Sequence, residues 1–164
     1  MISAKTDIPT DKVRDLFCGE TEYQTPKVDT RAAVFVRGKI LLVHENNGKW
    51  SLPGGWCDVD QSVASNTVKE VKEETGFVVT AQKVIAVQDW RRHNVTNYAY
   101  GVVKIFMQCR YESGEFADNI ETTGIAFFGR DELPDDLAVE KCTKEQILMC
   151  FDAFADPDLP TIFD

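Results

Sequence analysis

No stretch of this chain stays apolar for the roughly 20 residues that a helix needs to cross a bilayer, so a soluble protein is expected. Histidine occurs twice, at His44 and His93, too far apart to form a zinc-hydrolase signature; His44, at a strand end, is read as packing. The five cysteines, Cys18, Cys57, Cys109, Cys142 and Cys150, are odd in number and include no CxxC pair, which argues against a disulfide framework or a structural zinc site. Positive charge is scarce. With 18 Lys and Arg against 27 Asp and Glu, the net charge of −9 disfavours a surface that tracks nucleic-acid phosphates. Neither sequence-specific nucleic acid nor a membrane is therefore an expected partner. There is no phosphate-binding P-loop sequence. The opening MISAKTDIPTDK has neither an apolar core nor an arginine-rich amphipathic pattern, and the expected location is the cytoplasm.

At 164 residues and 43% hydrophobic content, the chain has room for one domain with a proper core. Residues 10–18, TDKVRDLFC, can form a short helix with Val13, Leu16 and Phe17 on one side. Strands are expected over residues 28–35 and 39–43, with Arg37-Gly38 as a hairpin turn. Asn46-Asn47-Gly48 makes another turn before a short strand at 50–52. Residues 77–89, 98–111 and 120–128 read as further strands. A closing helix over 143–155 opens on a Thr-x-x-Gln capping box. The order is α+β: residues 1–27 form a helical appendage, 28–155 the domain, and 156–164, with Pro157 and Pro160, an irregular tail.

The most informative segment is GGWCDVDQSVASNTVKEVKEETGF, residues 54–77. Ser62 is the expected N-cap of a helix and Gly76 its left-handed C-terminal cap. At roughly 100° per residue, Val63, Ala64, Thr67, Val68, Val71 and Thr75 share one face, and Glu70, Glu73 and Glu74 occupy the adjoining arc. Like charges three and four positions apart repel, and Glu73 and Glu74 also sit at the negative end of the helix dipole. Alone, such a run is often a solvated helix face. A dication would turn the repulsion into attraction, and these hard oxygen donors suit Mg²⁺, Mn²⁺ or Ca²⁺.

The order of the whole segment resembles the Nudix box. The fit starts at Gly55 and continues through Lys69-Glu70-Val71-Lys72-Glu73-Glu74-Thr75-Gly76-Phe77, with the LPGG lead-in at residues 52–55 also similar to that family. Two positions depart: Gln61 stands where the family has an isolated glutamate, and Lys69 where it has arginine. Lysine keeps the charge but loses the planar fork. Gln61 brings no charge, and Asp58 and Asp60 are nearby acids that could compensate. The resemblance, covering residues 28–155, implies the Nudix fold, a mixed β-sheet sandwiched between α-helices.

It also implies a Mg²⁺-dependent pyrophosphohydrolase, with Mn²⁺ as an alternative ion. Gly55, Glu70, Glu73 and Glu74 would supply the metal site, and Lys69 and Glu73 would hold that shell in place. Glu70 or Glu73 is the implied base, while Glu121 resembles a distal glutamate that assists in some members and reads equally well as an exposed strand-end acid. Outside the box, Trp90, Arg91, Arg92 and His93 group an aromatic plate with guanidinium donors at a strand end, where a nucleotide could bind. Together these segments resemble the branch that cleaves nucleoside diphosphate derivatives of CDP-choline or ADP-ribose type. The alternatives are a nucleoside triphosphate or RNA 5′-end pyrophosphohydrolase, and a ligand-sensing module with weak turnover. Tyr98 and Tyr100 are either partners at a homodimer contact or ordinary strand residues. Cys57, in the presumed site loop, is read as an incidental small residue rather than a reactive thiol.

Overall fold

The computed structural model describes residues 25–94, 101–116 and 122–164. The elements are β1 (Lys27–Val36), β2 (Lys39–Glu45), β3 (Trp50–Ser51), α1 (Val63–Thr75), β4 (Val78–Asp89), α2 (Trp90–His93), β5 (Val102–Ser113), β6 (Thr122–Phe128), α3 (Lys144–Ala155) and β7 (Ile162–Phe163). Among the described residues, one mixed sheet runs β3-β2-β1-β5-β4-β7, with β6 paired to β2. The β1–β2 turn is Arg37-Gly38, both at positive φ, 53° and 76°. That geometry matches the twist of the flanking strands and fixes Val36 opposite Lys39.

Alternation along the strands divides the core in two. Ala32, Val34 and Leu41 face α1, packing with Val71, Phe77, Val79 and Met107. Ala33, Ile40 and Leu42 face the other way, onto Ile85, Phe106 and the α3 residues Ile147 and Phe151. The sheet is thus sandwiched between α1 and α3. Phe106 is fully buried, and truncating it to alanine costs about 3–5 kcal/mol.

Both expected caps of α1 are present. Ser62 Oγ accepts from the Ser65 N–H, and Gly76, at φ 76°, donates its N–H to the Lys72 carbonyl. The reciprocal partner in the box is Ser65, whose Oγ accepts from the Ser62 N–H at 2.9 Å. The Thr143–Gln146 capping box of α3 also forms. Helix α1 is turned differently from the expected arc: Asn66, Thr67, Val71, Glu74 and Thr75 are buried, whereas Ala64 and Glu73 are exposed. Asn66 goes inward because its amide is fully used, donating to Thr30 Oγ1 at 3.0 Å and the Trp56 carbonyl at 3.3 Å while accepting from the Asp58 N–H.

Two other expectations change. Residues 90–93 form one helical turn capped by the Asp89 side chain, rather than an open loop. The tail is not wholly irregular: Ile162 and Phe163 pair in parallel with Ala86 and Val87, because the outer edge of β4 offers unpaired backbone groups to an extended segment. Asp164 then accepts the Asp89 N–H at 2.6 Å. The expected helix at residues 10–18, the residues Tyr98 and Tyr100, and Glu121 lie outside the described residues.

Candidate active site

The loop between β3 and α1 is laid along the edge of β1. The Ala32 N–H donates to the Pro53 carbonyl at 2.8 Å, Thr30 N–H to the Gly55 carbonyl at 2.9 Å, and Cys57 N–H to the Val28 carbonyl at 2.8 Å. Gly54 has φ 142°, and a Cβ there would stand 1.9 Å from the Thr30 carbonyl oxygen, so only glycine fits. A Cβ on Gly55 would lie 2.8 Å from Glu70 Oε2. The two glycines therefore let the acidic helix and β1 close on the same loop.

A cavity of about 350 Å³ opens where they meet. It is lined by Glu70, Glu74, Asp58 and the glycine loop, together with Asp29 and Arg31 of β1, Val102 and Lys104 of β5, and Glu140 and Lys141. Glu74 is buried, and its Oε2 accepts the Gly54 N–H at 2.9 Å. Burial raises its carboxyl pKa to about 7, against the opposing pull of Arg31. Burial also raises that of Glu70, opposed by Lys69. Lys69 gathers the remaining acids: its Nζ lies 3.0 Å from Glu73, 3.2 Å from Asp58 and 3.3 Å from Glu70. The Glu73 hydrogen bond, ahead of those to Asp58 and Glu70, holds the ammonium above its ordinary pKa.

Glu70 and Glu74, one turn apart, thus face the cavity, whereas Glu73 is turned to Lys69 and solvent. Among the described residues no three acidic, thiol or imidazole side chains converge as a ready metal cage. The pair nevertheless fits a hard dication: two carboxylates whose charge is opposed by burial, beside the Gly55 carbonyl, which accepts from the Thr30 N–H at 2.9 Å and, more weakly, from Thr30 Oγ1 at 3.5 Å.

The basic part of the wall, carried by β1 and β5, was not anticipated from the sequence. Asp29 and Lys104 are Cα partners across the parallel β1–β5 pair, and Arg31 is two residues along β1. Arg31 grips Asp29 with two prongs, Nε at 3.0 Å and Nη2 at 2.7 Å. Lys104 Nζ donates to Asp29 Oδ2 at 2.9 Å and to the Lys141 carbonyl at 2.6 Å. Burial works against the Asp29 charge, but Arg31 and Lys104 together hold its pKa below the usual carboxylate range. The signal available in sequence was two basic residues in otherwise strand-like runs.

Trp56 was also missed. It is 41% exposed, lines the cavity, and carries Lys27 Nζ 5.5 Å from its ring centroid. Trp90, by contrast, is the buried first residue of α2 and offers no open stacking plate, because the chain turns it into the protein where β4 ends. Arg91 pairs with Asp89, and His93 Nε2 lies 2.8 Å from Asp164. Neither Trp90 nor Arg91, Arg92 or His93 lines the acidic cavity. Arg91 instead borders a second hollow of about 380 Å³, formed with Asp89, Val103 and Phe163, and Val102 lines both.

A mixed sheet between two helices, with a glycine loop and a glutamate-bearing helix framing one cavity, defines the architecture of a Nudix hydrolase. The chain belongs to the Nudix family: residues 26–146 match the NUDIX domain. It is 43% identical over 153 residues to a Bacillus subtilis (strain 168) protein provisionally named ADP-ribose pyrophosphatase YjhB, a match covering 93% of this chain and 73% of that one. A crystal structure of an ADP-ribose pyrophosphatase from Streptococcus suis 89-1591 superposes with a TM-score of 0.80 at 52% identity, covering 85% of this chain and 100% of that one. A UDP-X diphosphatase crystal structure gives a TM-score of 0.81 at 30% identity, covering 100% of this chain and 79% of that one. The protein is an enzyme acting on phosphoanhydride bonds. Among the described residues no helix is long and apolar enough to cross a membrane.

Proposed function

We propose that the chain hydrolyses the pyrophosphate bond of nucleoside diphosphates linked to another moiety, of ADP-ribose or CDP-choline type, releasing a nucleoside monophosphate, with Mg²⁺ as the cofactor and Mn²⁺ as its substitute. The observation that carries this reading is that Glu70 and Glu74 line one cavity together with Arg31, Lys104 and Lys141. The names of the relatives from B. subtilis and S. suis favour ADP-ribose within that class.

Glu70, Glu74 and the Gly55 carbonyl would hold the ion, with Glu73 joining on release from Lys69. A bound dication there would lower the pKa of a water and neutralise charge on the leaving phosphate. Lys69 keeps Asp58, Glu70 and Glu73 together, taking the orienting part that arginine plays in the family. Glu70 or Glu73 accepts the proton of the attacking water, with Glu121 as the distal assistant. Trp90 anchors the first position of α2 in the protein interior, while Arg91, Arg92 and His93 would contact the part of the substrate beyond the diphosphate. The sharing of Val102 by the two hollows supports that path.

The organisation proposed is a Nudix domain over 28–155 with an N-terminal appendage and a C-terminal tail, placed in the cytoplasm. A homodimer belongs to the same proposal, and sedimentation equilibrium tests it. For activity, the protein is incubated with Mg²⁺ and ADP-ribose, CDP-choline, dinucleoside polyphosphates and nucleoside triphosphates. Turnover of the linked diphosphates, giving a monophosphate, is expected; phosphate release from triphosphates alone overturns the proposal.

A further inference from the structure

Phe163 is 76% exposed, yet the chain fixes it in place. Its strand, β7, pairs with β4 over two residues only, Ile162 with Ala86 and Phe163 with Val87, and a pairing that short needs other ties. Side chains supply them. Lys83 Nζ donates to the Pro157 carbonyl at 3.0 Å, Thr161 Oγ1 donates to the Val84 carbonyl at 2.9 Å, and Asp164 takes the Asp89 N–H on Oδ2 at 2.6 Å and lies 2.8 Å from His93 Nε2 through Oδ1. Asp164 thereby fastens β7 to the start of α2, whose N-cap is Asp89. An aromatic ring held in water gains nothing from burial until something else covers it.

Phe163 lines the second hollow, whose volume of about 380 Å³ falls in the range of small-molecule sites. Val102, Val103 and Phe163 give the hollow apolar surface, and Gln88, Asp89 and Asp164 give it hydrogen-bonding groups. Gln88 is 5% exposed, and among the described residues its amide nitrogen has only Met149 Sδ as acceptor, at 3.6 Å, a thioether that accepts weakly. The Asp164 carboxylate has acceptor sites beyond those taken by the Asp89 N–H and His93. An aromatic face beside donors and acceptors is complementary to a sugar, which is apolar on its C–H faces and carries hydroxyls that both donate and accept. The Arg91–Asp89 pair bordering the hollow is neutral overall, which favours an uncharged group there over another phosphate. Val102 also lines the acidic cavity, so the hollow adjoins the place of the diphosphate.

We infer that β7 is a specificity wall of this hollow: Phe163 packs against the sugar carried on the outer phosphate of the substrate, and Asp164 is the positioning residue that holds the ring there. The inference rests on the proposed function and narrows its substrate class to diphosphates that end in a sugar. Trp56, exposed at the acidic cavity, remains for the nucleobase.

Kinetics of the whole protein with Mg²⁺ test this by comparing ADP-ribose with the β-methyl ester of ADP, which keeps the adenosine and the phosphoanhydride but lacks the outer sugar. Phe163→Ala should raise KM for ADP-ribose about tenfold with little change in kcat, and the ratio of kcat/KM for ADP-ribose to that for the ester should fall by a similar factor. Phe163→Tyr should restore the ratio, and Asp164→Ala, which opens the clasp, should lower it. Calorimetry reads the same contact without turnover: with Mg²⁺, wild type should bind ribose 5-phosphate more tightly than methyl phosphate, and Phe163→Ala should lose that preference. A ratio unchanged in Phe163→Ala, or an equal loss with both substrates, overturns the inference. So does a wild-type dimer that Phe163→Ala dissociates in sedimentation equilibrium, which would make the ring a contact between two copies. Turnover of ADP-ribose with a Phe163-insensitive ratio would leave the proposed function standing and remove the wall. A Phe163-dependent preference for ribose 5-phosphate, without turnover of any linked diphosphate by wild type, would do the reverse.

Discussion

Gly54 and Glu74 are joined by one hydrogen bond, the glycine N–H donating to Glu74 Oε2 at 2.9 Å, and through it the loop and the acidic helix hold each other in register. The contact requires Gly54 at φ 142° with the Thr30 carbonyl against its Cα. Gly54→Ala would drive a Cβ into that carbonyl. A loss of about 3 kcal/mol or more in stability is expected, together with loss of activity, measurable by urea unfolding.

The same buried carboxylate makes stability depend on pH. Burial raises Glu74 from 4.5 to about 7, so the folded protein keeps a proton that the unfolded chain releases. Where the native state binds more protons, stability falls as pH rises. The metal-free protein is therefore least burdened by Glu74 below about pH 4.5, loses stability from there to about pH 7, and levels off above it. The total is on the order of 3 kcal/mol. Glu74→Gln removes this term while leaving an oxygen to accept the Gly54 N–H. In EDTA it should raise the Tm at pH 8 and leave it nearly unchanged at pH 4; an equal effect at both would refute the assignment.

Removing either cavity carboxylate should separate catalysis from folding. Glu70→Gln and Glu74→Gln are expected to lose roughly a hundredfold or more in kcat, about 3 kcal/mol of transition-state stabilisation, with intact near-ultraviolet circular dichroism. Mg²⁺ titrations should show weakened binding in both. A folded variant with undiminished rate and ion affinity would remove that residue from the site.

The helix and its caps were legible because they are local: Ser62, Gly76 and the glutamates sit at fixed offsets within one element. The Arg37-Gly38 turn and the strands beside it were legible for the same reason. The basic wall was not. Asp29 and Lys104 are 75 positions apart and meet only through the register of a parallel strand pair, which no local pattern encodes. The tryptophans show the limit most clearly. Trp56 and Trp90 both follow strand-like runs, yet the loop on β1 leaves the first at the cavity and the β4 end buries the second, a distinction set by tertiary packing.

Lys69 replaces the family's arginine, and its three carboxylate neighbours indicate how well it does so. Its Nζ reaches Asp58, Glu70 and Glu73, so a point charge suffices to gather these acids without the planar fork. Lys69→Met should reduce activity about 10–100-fold, as loss of a residue that orients metal ligands does. Lys69→Arg should stay within a few-fold of wild type. A large gain for Lys69→Arg, or for Gln61→Glu, would mean that the natural site is impaired at that position.

Trp56 provides a test of substrate orientation independent of the acids. Its ring, 41% exposed and carrying Lys27 Nζ, borders the cavity, and a flat aromatic surface there suits stacking with a nucleobase. Stacking of a base on an aromatic side chain contributes about 1–3 kcal/mol. Trp56→Ala should therefore raise KM for a nucleoside-containing substrate by the corresponding factor while kcat changes little, because an indole supplies no acid or base for the hydrolysis. Trp90→Ala should instead lower the Tm, since Trp90 is buried at the start of α2. A Trp56→Ala enzyme with unchanged KM for ADP-ribose and CDP-choline would place the base elsewhere, and the hollow bordered by Arg91 and Phe163 would become its site.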